Sequence, residues 1–253
     1  MSKVEPKTLP GFMELLPSEQ IEFNRIKDII RKTYEKYGFL PIDTPIIESS
    51  EVLLAKAGGE TEKQIYRFNK GDTDLSLRFD LTVPLAKYVA KNYNDLAFPF
   101  RRYQIGKVYR GERTQRGRYR EFYQCDIDII DNENLNIINE AEIPSIIYNI
   151  FKEINFGKFT IRINNRKILS GFFDALGLSE KVTDILRIVD KIDKAGKDSI
   201  VEMLKEIEIE EEKTNKIIEF ITTKENVVSY LKSLNIENEL FNTGVQELEI
   251  VDK

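Results

Sequence analysis

Residues 100–130 read FRRYQIGKVYRGERTQRGRYREFYQCDIDII, and this stretch decides the fold of the first part of the chain. Aromatic and β-branched residues favour strands over 100–110 and 120–130. The polar stretch 111–119 between them contains two glycines and is typical of a loop. The sequence therefore predicts an antiparallel hairpin with a long connection.

Arginines are concentrated in and beside this loop, although the chain as a whole is acidic. Its 253 residues include 38 Lys+Arg and 43 Asp+Glu, which gives a formal net charge of −5. The arginines of this stretch are Arg110, Arg113, Arg116, Arg118 and Arg120. A net acidic chain is not a general nucleic-acid coat, so a nucleic-acid partner would have to bind a local basic patch of this kind.

The second strand is predicted to have one apolar and one polar face, because alternate residues of a strand share a face. The apolar face carries Tyr123, Cys125, Ile127 and Ile129, and Cys125 is expected to be inert packing. The polar face carries Arg120, Phe122, Gln124, Asp126 and Asp128. A sheet buries such a row only with a ligand or paired partners. With Arg110 beside it, the row suits a nucleotide and an amino compound; a solvated sheet face is an equally open interpretation of the pattern alone.

Missing residue types exclude several classes of enzyme. There is no histidine and one cysteine, which excludes Ser–His–Asp and Cys–His nucleophiles and the usual zinc sites. The phosphate-binding patterns GxxxxGK[ST] and GxGxxG are absent. No run approaches the roughly 20 apolar residues of a membrane helix, and MSKVEPKTLPGF lacks the apolar core of a signal peptide. A cytoplasmic protein is therefore expected.

Hydrophobic spacing predicts an α+β domain at 1–164 followed by a small all-helical domain at 165–253. Helices are predicted at about 19–37, 51–57, 82–92 and 138–153, and further strands at 66–68, 75–80 and 159–164. Ser18 is expected to cap the first helix and Gly38 to end it, and the second helix is expected to end at Gly58-Gly59. From Asn165 onward the pattern predicts a series of short helices, the last beginning near Glu237.

Several segments, in the right order, resemble the class II aminoacyl-tRNA synthetases and, among them, the histidyl-tRNA synthetase family. YEKYGFLPIDTPIIE (34–48) resembles the first motif, whose strand lies at the dimer interface. GGETEKQIYRF (58–68) and LSLRFDLTVPLAKYVA (75–90) resemble the histidine-specific stretch, with Phe79 in place of its common proline. Residues 101–130 resemble the second motif, and INNRKIL (163–169) with the following helices resembles the insertion domain.

The resemblance implies a role for individual residues. Arg110 would be the catalytic arginine that bridges the α-phosphate of ATP and the carboxylate of the amino acid. The implied ATP-binding residues are Arg110, Glu112, Arg118 and Phe122, with adenine stacked on Phe122. The implied histidine-binding residues are Asp80, Leu81, Thr82, Arg110, Gln124 and Asp128. Asp80 and Thr82 also suit the cap of the helix that begins at Thr82, which is compatible with binding. Asp126 matches no role. Mg²⁺ is implied on the pyrophosphate of ATP, without a metal site made of protein side chains.

The implied function is that of a histidine–tRNA ligase, which activates histidine to histidyl-adenylate with ATP and transfers it to tRNA(His). The implied assembly is a homodimer. The third class II motif, the RGLDYYTG-like segment and the anticodon-binding domain of the family do not occur in the sequence. We therefore expect a fragment with an incomplete catalytic sheet. Such a chain would be weak or inactive alone and would associate with itself or with a missing C-terminal half.

Two alternatives belong to other functional classes. One is a histidine-binding regulatory paralogue, like the synthetase-like subunit of ATP phosphoribosyltransferase, and the other is a non-catalytic tRNA-binding module. The intact ATP set of Arg110, Glu112, Arg118 and Phe122 favours the ligase over the regulatory paralogue. The sequence does not exclude the tRNA-binding module.

Overall fold

A computed structural model describes residues 4–55, 59–223 and 226–253, without the side chains of Glu60 and Asp193. The chain divides into two compact units, Met1–Phe159 and Thr160–Lys253. The first unit combines helices with two small sheets and the second is helical, which confirms the α+β fold class. None of the described helices is long and apolar enough to cross a membrane.

The first unit contains two three-stranded sheets and the helices around them. Its helices are α1 (Pro17–Lys36), α2 (Ser50–Leu54), α3 (Glu60–Gln64), α4 (Thr82–Asn92) and α5 (Ile138–Glu153). Its strands are β1 (Leu40–Pro41), β2 (Ile47–Ser49), β3 (Arg67–Lys70), β4 (Thr73–Leu77), β5 (Phe100–Tyr109) and β6 (Glu121–Ile130). One sheet has the order β1-β5-β6 and the other β2-β4-β3.

The predicted hairpin forms two of the three strands of the first sheet, with β5 in the middle. β5 and β6 pair antiparallel without interruption from Phe100 opposite Ile130 to Tyr109 opposite Glu121. β1 joins the outer side of β5 in parallel, with Leu40 beside Arg102. The second sheet is antiparallel throughout.

One face of the hairpin packs on α1 and α5 and forms the core of the first unit. The buried side chains of this core are Tyr34, Phe39, Tyr103, Ile146 and Ile150. Cys125, Ile127 and Ile129 of β6 pack against them, as predicted. Tyr123 lies on the same face but at its exposed end, 5.2 Å from the ring of Phe23. Burial raises the pKa of the Cys125 thiol to about 11, so the thiol stays protonated at neutral pH.

The start of α1 differs from the prediction. The helix begins at Pro17, so Ser18 lies in its first turn and does not cap it. The cap position is Leu16, whose backbone N–H donates to the Glu19 carboxylate at 2.8 Å. Proline suits the first helical position because its missing N–H would have no partner there. Gly38 ends the helix with a φ of 76°, as expected.

The strand predicted at 159–164 does not form, and the backbone there is irregular. None of the described strands pairs with this segment, and a strand is stable only when a neighbour pairs with its backbone. Its apolar residues Ile161 and Ile163 are exposed. The predicted strand at 75–80 ends earlier, at Leu77, because the chain leaves the sheet there to begin α4. The predicted helix at 51–57 corresponds to α2, which ends at Leu54; of its predicted end at Gly58-Gly59, residue 58 lies outside the described residues.

The second unit consists of short helices around its own core. They are α6 (Arg166–Ala175), α7 (Val182–Val189), α8 (Ile192–Ala195), α9 (Lys197–Glu206), α10 (Glu211–Thr222), α11 (Val227–Ser233) and α12 (Glu239–Asp252). The fully enclosed side chains of this core include Phe173, Ile185, Ile200, Leu204, Ile217 and Phe241. The series of short helices predicted from the sequence is confirmed.

Two glycines allow α6 and α12 to approach each other closely. A Cβ on Gly171 would lie 2.7 Å from the Cα of Phe241 and 2.7 Å from the Oδ1 of Asn238. That Oδ1 accepts the Phe241 N–H at 3.0 Å and so caps α12. A Cβ on Gly244 would lie 2.8 Å from the backbone nitrogen of Ile168. The helix backbones therefore meet without a side chain between them.

Gly171→Ala is expected to destabilise the second unit by about 1–3 kcal/mol, because the added methyl overpacks a backbone contact. The better helix propensity of alanine, about 1 kcal/mol, offsets only part of this strain. Urea denaturation followed by circular dichroism would measure the loss. Gln246→Ala, at an exposed position of α12, is the control and should change stability by less than about 0.5 kcal/mol. Equal stability of Gly171→Ala and the control would contradict the close contact.

Candidate active site

The polar residues of β6 lie opposite a second row of residues on β5. The opposite pairs are Phe122 with Val108, Gln124 with Gly106, Asp126 with Gln104 and Asp128 with Arg102. Directly opposite residues point to the same side of a sheet, so these eight residues form one surface, here called the site face. The polar row on β6 predicts only half of this face. The same alternation runs backward from Arg110 along β5 and includes Gln104 and Arg102.

Arg110 directly follows β5, and two aromatic rings hold its guanidinium in place. The guanidinium carbon lies 4.4 Å from the centre of the Phe79 ring and 5.1 Å from that of the Phe122 ring. Its Nε donates to the carbonyl of Phe79 at 3.2 Å. Among the described residues, no hydrogen bond engages its two terminal nitrogens. A planar cation fixed by ring contacts therefore presents a donor fork to a ligand.

The hairpin loop and Arg110 surround a cavity of about 350 Å³. Its lining residues are Arg110, Glu112, Gly117, Arg118, Tyr119 and Phe122. Arg118 forms an ion pair with the Glu112 carboxylate at 3.2 Å. The structure thus gathers around one cavity all four residues that the resemblance implies for ATP.

The residues Asp80, Leu81 and Thr82 connect β4 to α4 close to Arg110. One carboxylate oxygen of Asp80 accepts the backbone N–H groups of Thr82 and Val83, both at 3.0 Å. The capping interpretation therefore holds for Asp80, whereas Thr82 is the exposed first residue of α4. Leu81 is fully buried beside Gly106. The other carboxylate oxygen of Asp80 takes no part in this cap.

Carboxylates and arginines lie close together on and beside the site face. Burial raises the pKa of Asp126 and of Asp128 above the usual range, and the positive charge of Arg102 opposes both shifts. Asp80 and Arg110 also act on the pKa of Asp126, in opposite directions, so both charges lie within electrostatic reach of it.

Gln124 has an unused acceptor on the site face. Its Nε2 makes a long hydrogen bond to Asp126 at 3.4 Å. Its Oε1 is buried and accepts no hydrogen bond from any of the residues that the structure describes. Buried polar atoms are nearly always paired in folded proteins, so this oxygen is suited to receive a donor from a ligand.

The buried residue Arg78 covers Gly106 on the site face and ties the two sheets together. Its Nε donates to the carbonyl of Lys107 at 2.7 Å, and its Nη1 donates to the carbonyl of Thr44 at 2.5 Å. Its own carbonyl accepts the N–H of Tyr109 at 3.0 Å. Gly106 leaves the space for this guanidinium, because a Cβ there would lie 2.5 Å from Nη2 of Arg78. Arg78 therefore holds the segment that leads to Asp80 against β5.

Comparison with known proteins shows the family of the chain. The family model described as histidyl-tRNA synthetase matches residues 11–252. The chain belongs to the histidyl-tRNA synthetase family. Its relative named histidine–tRNA ligase from Clostridium tetani is 63% identical, over 98% of this chain and 57% of the relative. This histidyl-tRNA synthetase family member thus spans a little over half the length of the relative.

Solved structures agree with the assignment to the histidyl-tRNA synthetase family. The crystal structure of histidyl-tRNA synthetase from Nostoc sp. PCC 7120 is 42% identical, with a TM-score of 0.90 over 99% of this chain and 57% of that chain. A structure from Bacillus halodurans, titled ATP phosphoribosyltransferase regulatory subunit/histidyl-tRNA synthetase, has a TM-score of 0.83 over 99% of this chain and 66% of that chain. Its sequence identity is 19%, so it shares the fold alone.

Proposed function

We propose that this chain carries the ATP- and histidine-binding face of a histidine–tRNA ligase. The observation that supports this best is the arrangement of Arg110, Glu112, Arg118 and Phe122 around one cavity, in a chain of the histidyl-tRNA synthetase family. We assign residues 1–164 to the catalytic domain and residues 165–253 to the insertion domain.

In the proposed reaction, a carboxylate oxygen of histidine attacks the α-phosphorus of ATP and the bond to pyrophosphate breaks. The carboxylate is ionised at neutral pH, so the step needs no general base, and a chain without histidine residues can perform it. Arg110 would bind an oxygen of the carboxylate and one of the α-phosphate, which aligns the two reactants and neutralises the charge that develops between them. Adenine would stack on the ring of Phe122, with Glu112 and Arg118 as further ATP contacts.

Mg²⁺ fits this site as a companion of ATP. Among the residues that line the cavity, Glu112 offers the one carboxylate, and protein sites often hold Mg²⁺ with one or two carboxylates plus substrate phosphates. Within the described ranges, no group of three or more Asp, Glu or Cys side chains is arranged to hold a metal ion. Bound Mg²⁺ would stabilise the charge on the leaving pyrophosphate.

For histidine, we assign binding to residues on the site face and beside it: Asp80, Leu81, Thr82, Arg110, Gln124 and Asp128. The buried Gln124 Oε1 and the Asp128 carboxylate are acceptors that suit the N–H groups of the amino acid. A substrate with an apolar side chain would leave the buried Gln124 Oε1 unpaired and would be rejected. Because Leu81 is fully buried, its contribution would come from its backbone.

The remaining proposals concern tRNA and assembly. The arginines around the tip of the hairpin loop are exposed and suit the phosphates of the acceptor end of tRNA(His).

We propose a homodimer because Leu40, Ile46 and Ile47, in the segment that resembles the first motif, are exposed apolar residues. A cytoplasmic location fits the single cysteine of the chain.

The regulatory paralogue has weaker support than the ligase. The chain shares only the fold with the Bacillus halodurans structure, whereas the four proposed ATP contacts surround one cavity here. A protein that binds histidine without activating it has no need for a set of ATP-binding residues.

Histidine-dependent ATP–pyrophosphate exchange tests the proposed function. The 253-residue chain is assayed alone and together with the part of the Clostridium tetani ligase that it does not span, with other amino acids as controls. We expect weak or no exchange by the chain alone and histidine-specific exchange by the combination. Histidine binding without exchange in the combination would instead support a regulatory protein. Binding of tRNA alone, lost with increasing salt, would support a tRNA-binding module.

A further inference from the structure

Two adjacent arginines at the start of β5 have different surroundings. Arg101 points away from the site face, donates to Glu142 at 2.8 Å and lies 4.4 Å above the ring of Phe39. Arg102 lies on the site face and has 0% of its surface exposed. A fully buried guanidinium is costly unless opposite charge compensates for the lost hydration. The burial of Arg102 therefore requires a compensating negative charge on the site face.

The compensating charge for Arg102 is Asp128. The two residues lie directly opposite each other in the β5–β6 register, and the guanidinium forms an ion pair with the Asp128 carboxylate. Among the described residues, none of the three guanidinium nitrogens of Arg102 makes a hydrogen bond of regular geometry, so its contact with Asp128 is an ion pair alone. Replacement of a buried ion pair by apolar residues is often neutral or stabilising, so the pair is weak support for a purely structural role.

The charges around this ion pair have both signs. Asp126 lies next to it on the same face, and Asp80 and Arg110 are within electrostatic reach of Asp126. Asp43 accepts a hydrogen bond from Gln104, the neighbour of Arg102 on the site face, at 2.9 Å, and forms an ion pair with Arg78 at 3.5 Å. In this surrounding, burial raises the pKa of Asp128 and Arg102 is the charge that opposes the shift.

We propose that Arg102 is a positioning residue that keeps Asp128 ionised and holds its carboxylate toward the imidazole of bound histidine. This inference rests on the proposed function. A carboxylate accepts the N–H of a neutral imidazole as a charged acceptor, whereas a protonated carboxyl group offers only a neutral carbonyl oxygen, and its O–H would bond an unprotonated ring nitrogen instead. Arg102 thus sets the hydrogen-bonding character of Asp128 without contacting the substrate.

The first test needs no ligand and follows the Asp128 carboxyl group by ¹³C NMR during a pH titration of the 253-residue chain. Arg102→Met removes the charge at similar side-chain length, and Arg101→Met is the matched control on the opposite face. We expect a clearly higher pKa for Asp128 in Arg102→Met than in the wild type or the control. Arg102→Lys keeps the charge and should restore most of the wild-type titration. An unchanged Asp128 titration in Arg102→Met would overturn the proposal.

The second test measures histidine affinity by calorimetry between about pH 6 and about pH 9. We expect Arg102→Met to bind histidine about 10- to 100-fold more weakly near neutral pH, the cost of a hydrogen bond to a charged group. Because the loss of the positive charge raises the pKa of Asp128 further, affinity that is lost through protonation of Asp128 should return as pH rises. The histidine affinity of Arg101→Met should equal that of the wild type at every pH, because protonation of free histidine affects both proteins equally.

A double variant distinguishes an effect of Arg102 through Asp128 from a general folding defect. If Arg102 acts through Asp128, adding Arg102→Met to Asp128→Asn should cost no further histidine affinity. An additive loss would overturn the proposal. If the wild-type chain bound ATP but not histidine while Asp128 still responded to Arg102, the histidine site of the proposed function would be wrong and the electrostatic link would stand.

Discussion

Replacement of Arg110 by alanine is expected to weaken ATP binding by this chain strongly, and to lower histidine-dependent pyrophosphate exchange by about 10³-fold when the chain is combined with the remaining part of the Clostridium tetani ligase. The reason is that, in the proposed reaction, one side chain would serve both reactants. Its fork would align the carboxylate with the α-phosphate and stabilise the more highly charged transition state, and the loss of one such preorganised donor costs about 10²–10³-fold. The loss of alignment adds to this cost. Calorimetry with ATP and the exchange assay measure the two effects.

Arg110→Lys separates the charge of Arg110 from its shape. Lysine keeps a positive charge but lacks the planar fork and its stacking between Phe79 and Phe122. We therefore expect ATP binding to weaken only partly while exchange stays close to the alanine level. Arg25→Ala, which removes an exposed arginine paired with Glu22 on α1, is the control and should leave both measurements unchanged. ATP affinity at the wild-type level in Arg110→Ala would show that the central assignment is wrong.

Gly106→Ala is expected to destabilise the first unit by about 3 kcal/mol or more. Its methyl group would lie 2.5 Å from Nη2 of Arg78, which is fully packed in the interior. Arg78 would have to give up hydrogen bonds to the carbonyls of Thr44 and Lys107, and bonds from a charged donor are worth about 1.5–3 kcal/mol each. Urea denaturation measures the loss, and hydrogen exchange at the Tyr109 amide reports whether Arg78 and its segment have moved.

The same substitution should weaken histidine binding, because Arg78 holds the segment that leads to Asp80 and Thr82. The double variant Gly106→Ala with Arg78→Met provides the control. Once the guanidinium is absent, the added methyl group has nothing to displace, so the two losses should be far from additive. A double variant that loses the sum of the two single effects would rule out the steric link between Gly106 and Arg78.

Local sequence patterns determined much of the fold correctly. The alternation of residues along 100–110 and 120–130 identified the hairpin, and helical spacing identified α4 and α5, because both periodicities arise from the backbone geometry of a single segment. The polar row of β6 was also visible from its sequence, since residues two apart on a strand share a face. Even the cap formed by Asp80 depends only on residues within one turn of it.

The tertiary structure alone decided which residues contact that row. Strand register places Arg102 against Asp128, and packing between the sheets brings Arg78 onto Gly106. Alternation along β5 indicates that Arg102 shares the face, but neither contact is specified by one segment, because each depends on packing between segments that are separated along the chain. The segment 159–164 shows the same limit of local sequence patterns, here for a predicted strand that does not form. Its composition favours a strand, yet strand formation requires a neighbouring strand, and the sequence of one segment does not specify whether that neighbour is present.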